Sequence, residues 1–168
     1  MPVCENIRAN RCRIAPDKAF RGYKPVHRCY FHGVKVHLLV ASGGFIAAFW
    51  LTPSSWHDLT GLYGMALDIP RGRALMMDRG YTDYVAEVLL REAEGLEVYP
   101  ARRETSVRYA GCRQYLAVVK RRFVESVGSC LHSLLPRRVH AMTLDGFMLK
   151  RMCFIYAHNF NLLHKVAS

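Results

Sequence analysis

From Tyr30 to Ala41 apolar and polar residues alternate. Val34, Val36, Leu38 and Val40 fall on one face and Lys35 and His37 on the other, the period of two expected of a half-buried strand. Ser42-Gly43-Gly44 supplies a turn and Phe45 to Leu51 returns as a second apolar run, so the two segments are predicted to pair as a hairpin. Thr52-Pro53 closes the second strand. Ser55-x-x-Asp58 has the spacing of a capping box, which assigns Asp58 to the start of a helix running to about Ile69, where Pro70 and Gly72 break it.

Beyond that break, Arg73 to Asp78 is a short apolar strand bounded by turn residues. Thr82 can cap a helix to about Glu94, with Val85, Val88, Leu89 and Ala93 on its inner side. Gly95 ends it, and Leu96 to Tyr99 reads as a further short strand before Pro100. A helix follows from about Gln114 to Leu135. At about 100° per residue, Leu116, Val119, Phe123, Val127, Cys130 and Leu134 share one side, while Arg121, Glu125 and His132 lie opposite. Pro136 ends it, and Val139 to about Lys165 predicts a last, largely apolar helix that packs across a layer of the domain.

Two stretches lack a period. Met1 to Arg28 strings Arg8, Arg11, Arg13, Lys18, Arg21, Lys24 and Arg28 between Pro16, Gly22 and Pro25, and reads as a basic surface loop that could track phosphates or as a partly disordered arm. Arg102 to Arg113 turns polar and basic again, a loop that could fold over a DNA strand or face water. The 168 residues are expected to form one domain, with residues 1–28 as a basic irregular segment and 29–168 as the core. A formal charge of +11 points to a polyanionic partner, nucleic acid before membrane.

Six cysteines are scattered without a Cys-x-x-Cys spacing, so reduced thiols and a cytoplasmic location are the expectation, ahead of a zinc site built from them with His27, His32 and His37. No window offers the roughly 20 uninterrupted apolar residues that a membrane span requires.

The candidate chemistry rests on two acids. Asp78 ends the strand Ala74-Leu75-Met76-Met77 just before Arg79-Gly80-Tyr81, at the carboxyl edge of a strand, where ligand sites of α/β folds collect. Glu125 follows Arg121 by four positions on the basic helix, facing away from the predicted core. Each has a plainer reading: Asp78 as a surface acid capping a turn, and Glu125 as one half of a solvated pair with Arg121 in the less favourable helix orientation. Converging carboxylates from different elements are what a Mg²⁺ pair needs to stabilise the attacking and leaving oxygens of a phosphodiester.

Taken in order, several segments resemble the DDE transposase domain of bacterial insertion elements. They are Pro2-Val3-Cys4-Glu5-Asn6-Ile7-Arg8, the hairpin Tyr30 to Leu38, Leu51-Thr52-Pro53 leading to Trp56-His57-Asp58, Asp78-Arg79-Gly80-Tyr81 and Arg121-x-x-x-Glu125. The resemblance implies an α/β, RNase H-like mixed sheet flanked by helices, with Asp78 and Glu125 as catalytic and metal-binding residues. It also implies Mg²⁺ or Mn²⁺ as cofactor, DNA ends and target DNA as partners, and assembly as a homo-oligomer without a membrane. Candidate DNA contacts are Lys35, Arg79, Arg102, Arg103, Lys120, Arg121 and Arg122.

The chain departs from the pattern in three places. The family's first acid lies on a strand just upstream of the segment resembling Pro2-Val3-Cys4, and Glu5 and Asp17 are the nearest acids here; Val118 and His132 stand where some relatives carry a tyrosine and a lysine. The expectation is a chain with its first strand missing or incomplete, a two-metal site formed only if the absent Asp is supplied, and no catalysis by the isolated chain. An RNase H-like nuclease and a DNA-binding remnant without catalysis are the alternatives.

Overall fold

The computed structural model describes residues 2–4, 12–24, 28–106, 111–136 and 139–167; Glu5, Arg8, Arg11, His27 and Arg108 lie outside these. Its central strand is β3, Cys29–Val40, whose alternating side chains commit one face to each of two layers. β4, Ile46–Pro53, pairs with it antiparallel from Val34↔Pro53 to Val40↔Ile46, with an irregularity between Leu39 and Val40. Gly44, at φ +86, closes the turn of this predicted hairpin.

Two shorter strands join β3 beyond the hairpin. β1, Pro2–Cys4, and β2, Arg21–Lys24, both pair antiparallel with its first residues, making a four-stranded sheet. β2 corrects the reading of residues 1–28 as irregular throughout. Its four residues, Arg-Gly-Tyr-Lys, have no apolar period, and pairing is possible because Gly22 lies where a Cβ would come within 2.7 Å of Ser54 and 2.9 Å of Phe31. The guanidinium of Arg21 stacks 4.7 Å over the Tyr30 ring, and Tyr23 packs against the same ring at 5.0 Å. Ahead of β2, residues 18–20 form a 3-10 turn capped by Asp17.

A second sheet is parallel. β5, Ala74–Met77, pairs with β6, Glu97–Pro100, through the crossover helix α2, Tyr84–Glu92. Leu75, Met77, Leu96 and Val98 form its buried core, with Leu39 of β3 and Leu62, Leu67 and Ile69 packed on it.

Helix α1, Asp58–Gly64, stops short of the predicted Ile69. Gly64 passes so close to Trp50 that a Cβ there would come within 2.6 Å of its ring nitrogen, and Met65 to Ile69 run on without helix, with Leu67 and Ile69 half-buried against the parallel-sheet core.

Helices α3, Gly111–Leu134, and α4, Leu144–Ala167, cover the Val36–Leu38–Val40 face of the hairpin, with Val127, Leu131, Ile155 and Ile46 at the centre of that core. The predicted stripe of α3 is only partly buried. Ala117, Val127 and Leu131 are inside and Phe123 is half-buried, whereas Leu116, Val119 and Cys130 are exposed. Only the second half of α3 lies on the hairpin; the first half meets β5 and β6, where Gln114 accepts from the Arg102 amide and donates to the Pro100 carbonyl.

The inner face of α2 is also turned from the predicted one. Asp83, not Thr82, caps the helix, which directs Ala86, Glu87 and Leu90 inward and leaves Val85, Val88 and Leu89 exposed.

Helix α4 begins at Leu144, with Thr143 Oγ1 accepting from the Gly146 amide at 3.1 Å, rather than at Val139. Phe147, Arg151, Ile155 and His158 face inward. Leu149, Met152, Tyr156, Phe160 and Leu163 form an outer stripe in solvent, contrary to the expectation of a helix covered by the domain. Among the described residues, no helix is long and apolar enough to cross a membrane.

Candidate functional site

Asp78 sits at the carboxyl end of β5, where the chain leaves the strand through a 3-10 turn at residues 79–81. It caps that turn, its Oδ1 accepting from the Arg79 amide at 2.7 Å, and is about half exposed. Glu125 projects from the solvent side of α3, as its position opposite the predicted stripe requires.

The two acids meet through one guanidinium. Arg121 Nε donates to Glu125 Oε1 at 2.9 Å, and its Nη1 lies 3.4 Å from Asp78 Oδ1. The bond to Glu125 and the neighbouring Asp78 charge push the Arg121 pKa further up. A strand end and a helix far apart in the chain thus place two carboxylates about one cation. Two carboxylate oxygens of this kind, both open to water, suit a hard ion that retains part of its hydration shell. Among the described residues no group of three His, Cys, Asp or Glu side chains could hold a metal.

A hydrogen-bonded row lies beneath this surface. Tyr81, three residues after Asp78, places its hydroxyl 2.6 Å from His37 Nδ1, and His37 Nε2 is 2.9 Å from Thr52 Oγ1. His37 is 2% exposed, and its ring meets that of Tyr81 edge-on at 5.8 Å. Burial lowers the His37 pKa, against the pull of Asp58 and with an added push from Lys35. Tyr81 is pushed up to about 12 by burial, then by Asp58 and Asp78.

Asp58 belongs to this cluster and is not the capping acid that the sequence suggested. The N-cap of α1 is His57, whose Nδ1 accepts from the Leu59 amide at 3.3 Å, while Asp58 turns back to Lys35 Nζ at 2.9 Å. Gly80 explains the close approach, because a Cβ there would fall 2.3 Å from Asp58 Oδ2. The sequence signal for this row was the placement of His37 beside Lys35 on the face of β3 away from Val36 and Leu38, which α1 covers.

The candidate DNA contacts separate into groups. Lys35 is engaged, donating to Asp58 and, at 2.7 Å, to the Trp56 carbonyl. Lys120 and Arg122 are exposed on α3 beside Arg121. Arg102 is buried, ion-paired to Glu87 and stacked 4.9 Å over the Tyr84 ring, while Arg79 and Arg103 are exposed. These three arginines line one open cavity of about 300 Å³ beside Asp78.

A family model described as "Transposase DDE domain" matches residues 1–140. No curated protein and no solved structure matches the chain.

Proposed function

The chain belongs to the transposase DDE domain family, and from that premise we propose that it is the catalytic domain of an insertion-sequence transposase, a single RNase H-like domain over residues 1–168. Asp78 and Glu125 are its catalytic acids. They hold Mg²⁺ or Mn²⁺, and the substrates are the ends of a DNA element and its target. The observation that carries this reading is the convergence of Asp78 and Glu125 on the Arg121 guanidinium.

A divalent ion at these carboxylates would polarise the scissile phosphodiester and activate the attacking hydroxyl. The chain's own residues supply the frame. Tyr81 and His37 anchor the turn that follows Asp78, and Lys120, Arg121 and Arg122 are three exposed cations fanned around one turn of α3, of which Arg121 lies nearest Asp78 and can reach a phosphate beside it. Arg121 can neutralise the acids while no metal is bound and turn to phosphate when one is. Two acids alone do not fix a pair of ions, so cleavage and strand transfer require a third carboxylate from outside the described residues.

The outer stripe of α4 suits a second copy of the chain. Leu149, Met152, Tyr156, Phe160 and Leu163 follow the three-and-four spacing of a helix-pairing seam. In an antiparallel pairing centred on Tyr156, Leu149 meets Leu163 and Met152 meets Phe160, and Asp145 of the first turn comes near the basic last turn with His164 and Lys165.

Iron-directed cleavage tests the metal assignment. Fe²⁺ replaces Mg²⁺, and with ascorbate and peroxide it generates radicals that cut the backbone near the ion. Cuts should cluster around residues 78 and 125 and vanish in Asp78→Ala and Glu125→Ala. Unlocalised cutting, or cutting indifferent to both substitutions, would leave a DNA-binding chain without this chemistry.

A further inference from the structure

The cavity beside Asp78 is walled by the turn after β5, the start of α2 and the loop after β6. Among the described residues no carboxylate lines it. Arg79 and Arg103 stand at its exposed side with no ion pair among the described residues, and Thr105 and Ser106 add hydroxyls. The Tyr84 hydroxyl lies 3.4 Å from Ser106 Oγ, and the ring of Tyr84 is backed by the Arg102 guanidinium. Arg102 is itself held by buried Glu87 through Nη2, and its buried Nη1 has no acceptor among the described residues.

These groups define a ligand chemistry. Two unpaired guanidinium groups with nearby hydroxyl donors favour a phosphate, and a buttressed aromatic ring offers a surface for a sugar or base. The volume is at the small end of ligand pockets, room for a single nucleotide unit and too little for a base pair. Because Arg79 is the chain neighbour of Asp78, a strand occupying the cavity would pass directly beside that carboxylate.

We propose that this cavity seats one nucleotide of an unpaired DNA strand, its phosphate between Arg79 and Arg103 and its sugar or base against Tyr84. The assignment rests on the reading of the chain as a DNA-handling domain and adds to it the form of DNA and the place where it is gripped. Duplex DNA would be held elsewhere, along the exposed cations of α3.

The test is fluorescence anisotropy with a short single strand and the duplex of the same sequence, without divalent metal, over a salt series. Ser106→Phe fills the cavity without changing charge. It should weaken single-strand binding by about tenfold or more and leave duplex binding within about twofold. Arg103→Ala should weaken single-strand binding and lower its salt slope by about 0.7, the value of one phosphate contact. Thermal melting checks the fold, and Thr105→Trp, at an exposed turn position, replaces Ser106→Phe should that variant not fold. Single-strand binding unaffected by filling overturns the cavity assignment while the DNA reading stands. Equal losses for both DNA forms overturn the choice of an unpaired strand. A wild-type chain that binds neither form overturns the DNA reading and the cavity assignment together.

Discussion

Arg121 Nη1 lies 3.4 Å from Asp78 Oδ1, so a residue one helical turn before Glu125 holds the acid at the end of β5. The i,i+4 pair with Glu125 alone would contribute only a few tenths of a kcal/mol in its orientation. With Asp78 included, Arg121 links α3 to the parallel sheet and stands between the two acids proposed to bind metal.

Replacing Arg121 with alanine therefore has two opposed effects. Removing the competing cation should raise Mn²⁺ affinity by up to about fivefold, the ceiling for an exposed ion pair, and titration by electron paramagnetic resonance would register it. DNA affinity should fall across all sequences, with the duplex salt slope lower by about one. A metal affinity that drops instead would make Arg121 a support of the site and not its competitor.

The outer face of α4 yields a prediction about assembly. Phe160→Lys puts a charge into the exposed stripe and leaves the inner contacts of Phe147 and Ile155 untouched. Sedimentation should show wild-type dimers dissociating in this variant with melting of the protomer little changed. A wild-type chain that stays monomeric at high concentration would refute the seam.

Gly61 fixes the buried histidine from the opposite side. A Cβ there would come within 2.4 Å of the His37 ring, which cannot retreat without losing its bonds to Tyr81 and Thr52. Gly61→Ala should destabilise the fold by about 1–3 kcal/mol, as overpacking does, measured by urea unfolding. A loss of only a few tenths would mean that the ring moves freely.

The hairpin was legible because Val34 to Leu38 alternate cleanly, and Asp78 because an apolar strand ends on it before a glycine turn. What escaped reading depended on contacts remote in sequence. Strand β2 is specified by backbone pairing and by the close approach of Gly22 to Ser54, which no periodicity records. Asp58 fitted a capping pattern, yet its partner is Lys35 on another strand. The inner face of α2 was misread because an ion pair, not an apolar stripe, draws Glu87 inside. Glu125 was correctly placed on the solvent side of α3, but its neighbourhood to Asp78 could only come from folding.

His37 makes stability depend on pH. Its folded-state pKa is lowered from 6.5, chiefly by burial, so the folded chain takes up this proton less readily than the unfolded one. The contribution is complete above pH 6.5 and is lost as the pH falls through the folded-state value. His37→Gln keeps a polar group between Tyr81 and Thr52 but cannot titrate. The melting temperature of the variant should therefore fall less steeply than that of the wild type as the pH is lowered below 6.5. Parallel curves would show that His37 is protonated in the fold without penalty.

Glu87 and Arg102 offer the sharpest energetic test, since both side chains are almost wholly buried, at 0% and 4% exposure. Arg102→Met removes the guanidinium that balances the Glu87 charge and should cost about 3–5 kcal/mol in chemical unfolding. The double variant Glu87→Leu with Arg102→Met exchanges the pair for apolar groups of similar size and should recover most of that loss, because neither charge then has to be kept out of water. The cycle isolates the coupling, and simple addition of the two single losses would deny it. The same variants separate folding from ligand contact. If Arg102 serves the cavity only by holding Tyr84 in place, the double variant regains stability while single-strand DNA binding stays reduced, since the Tyr84 ring has lost its backing.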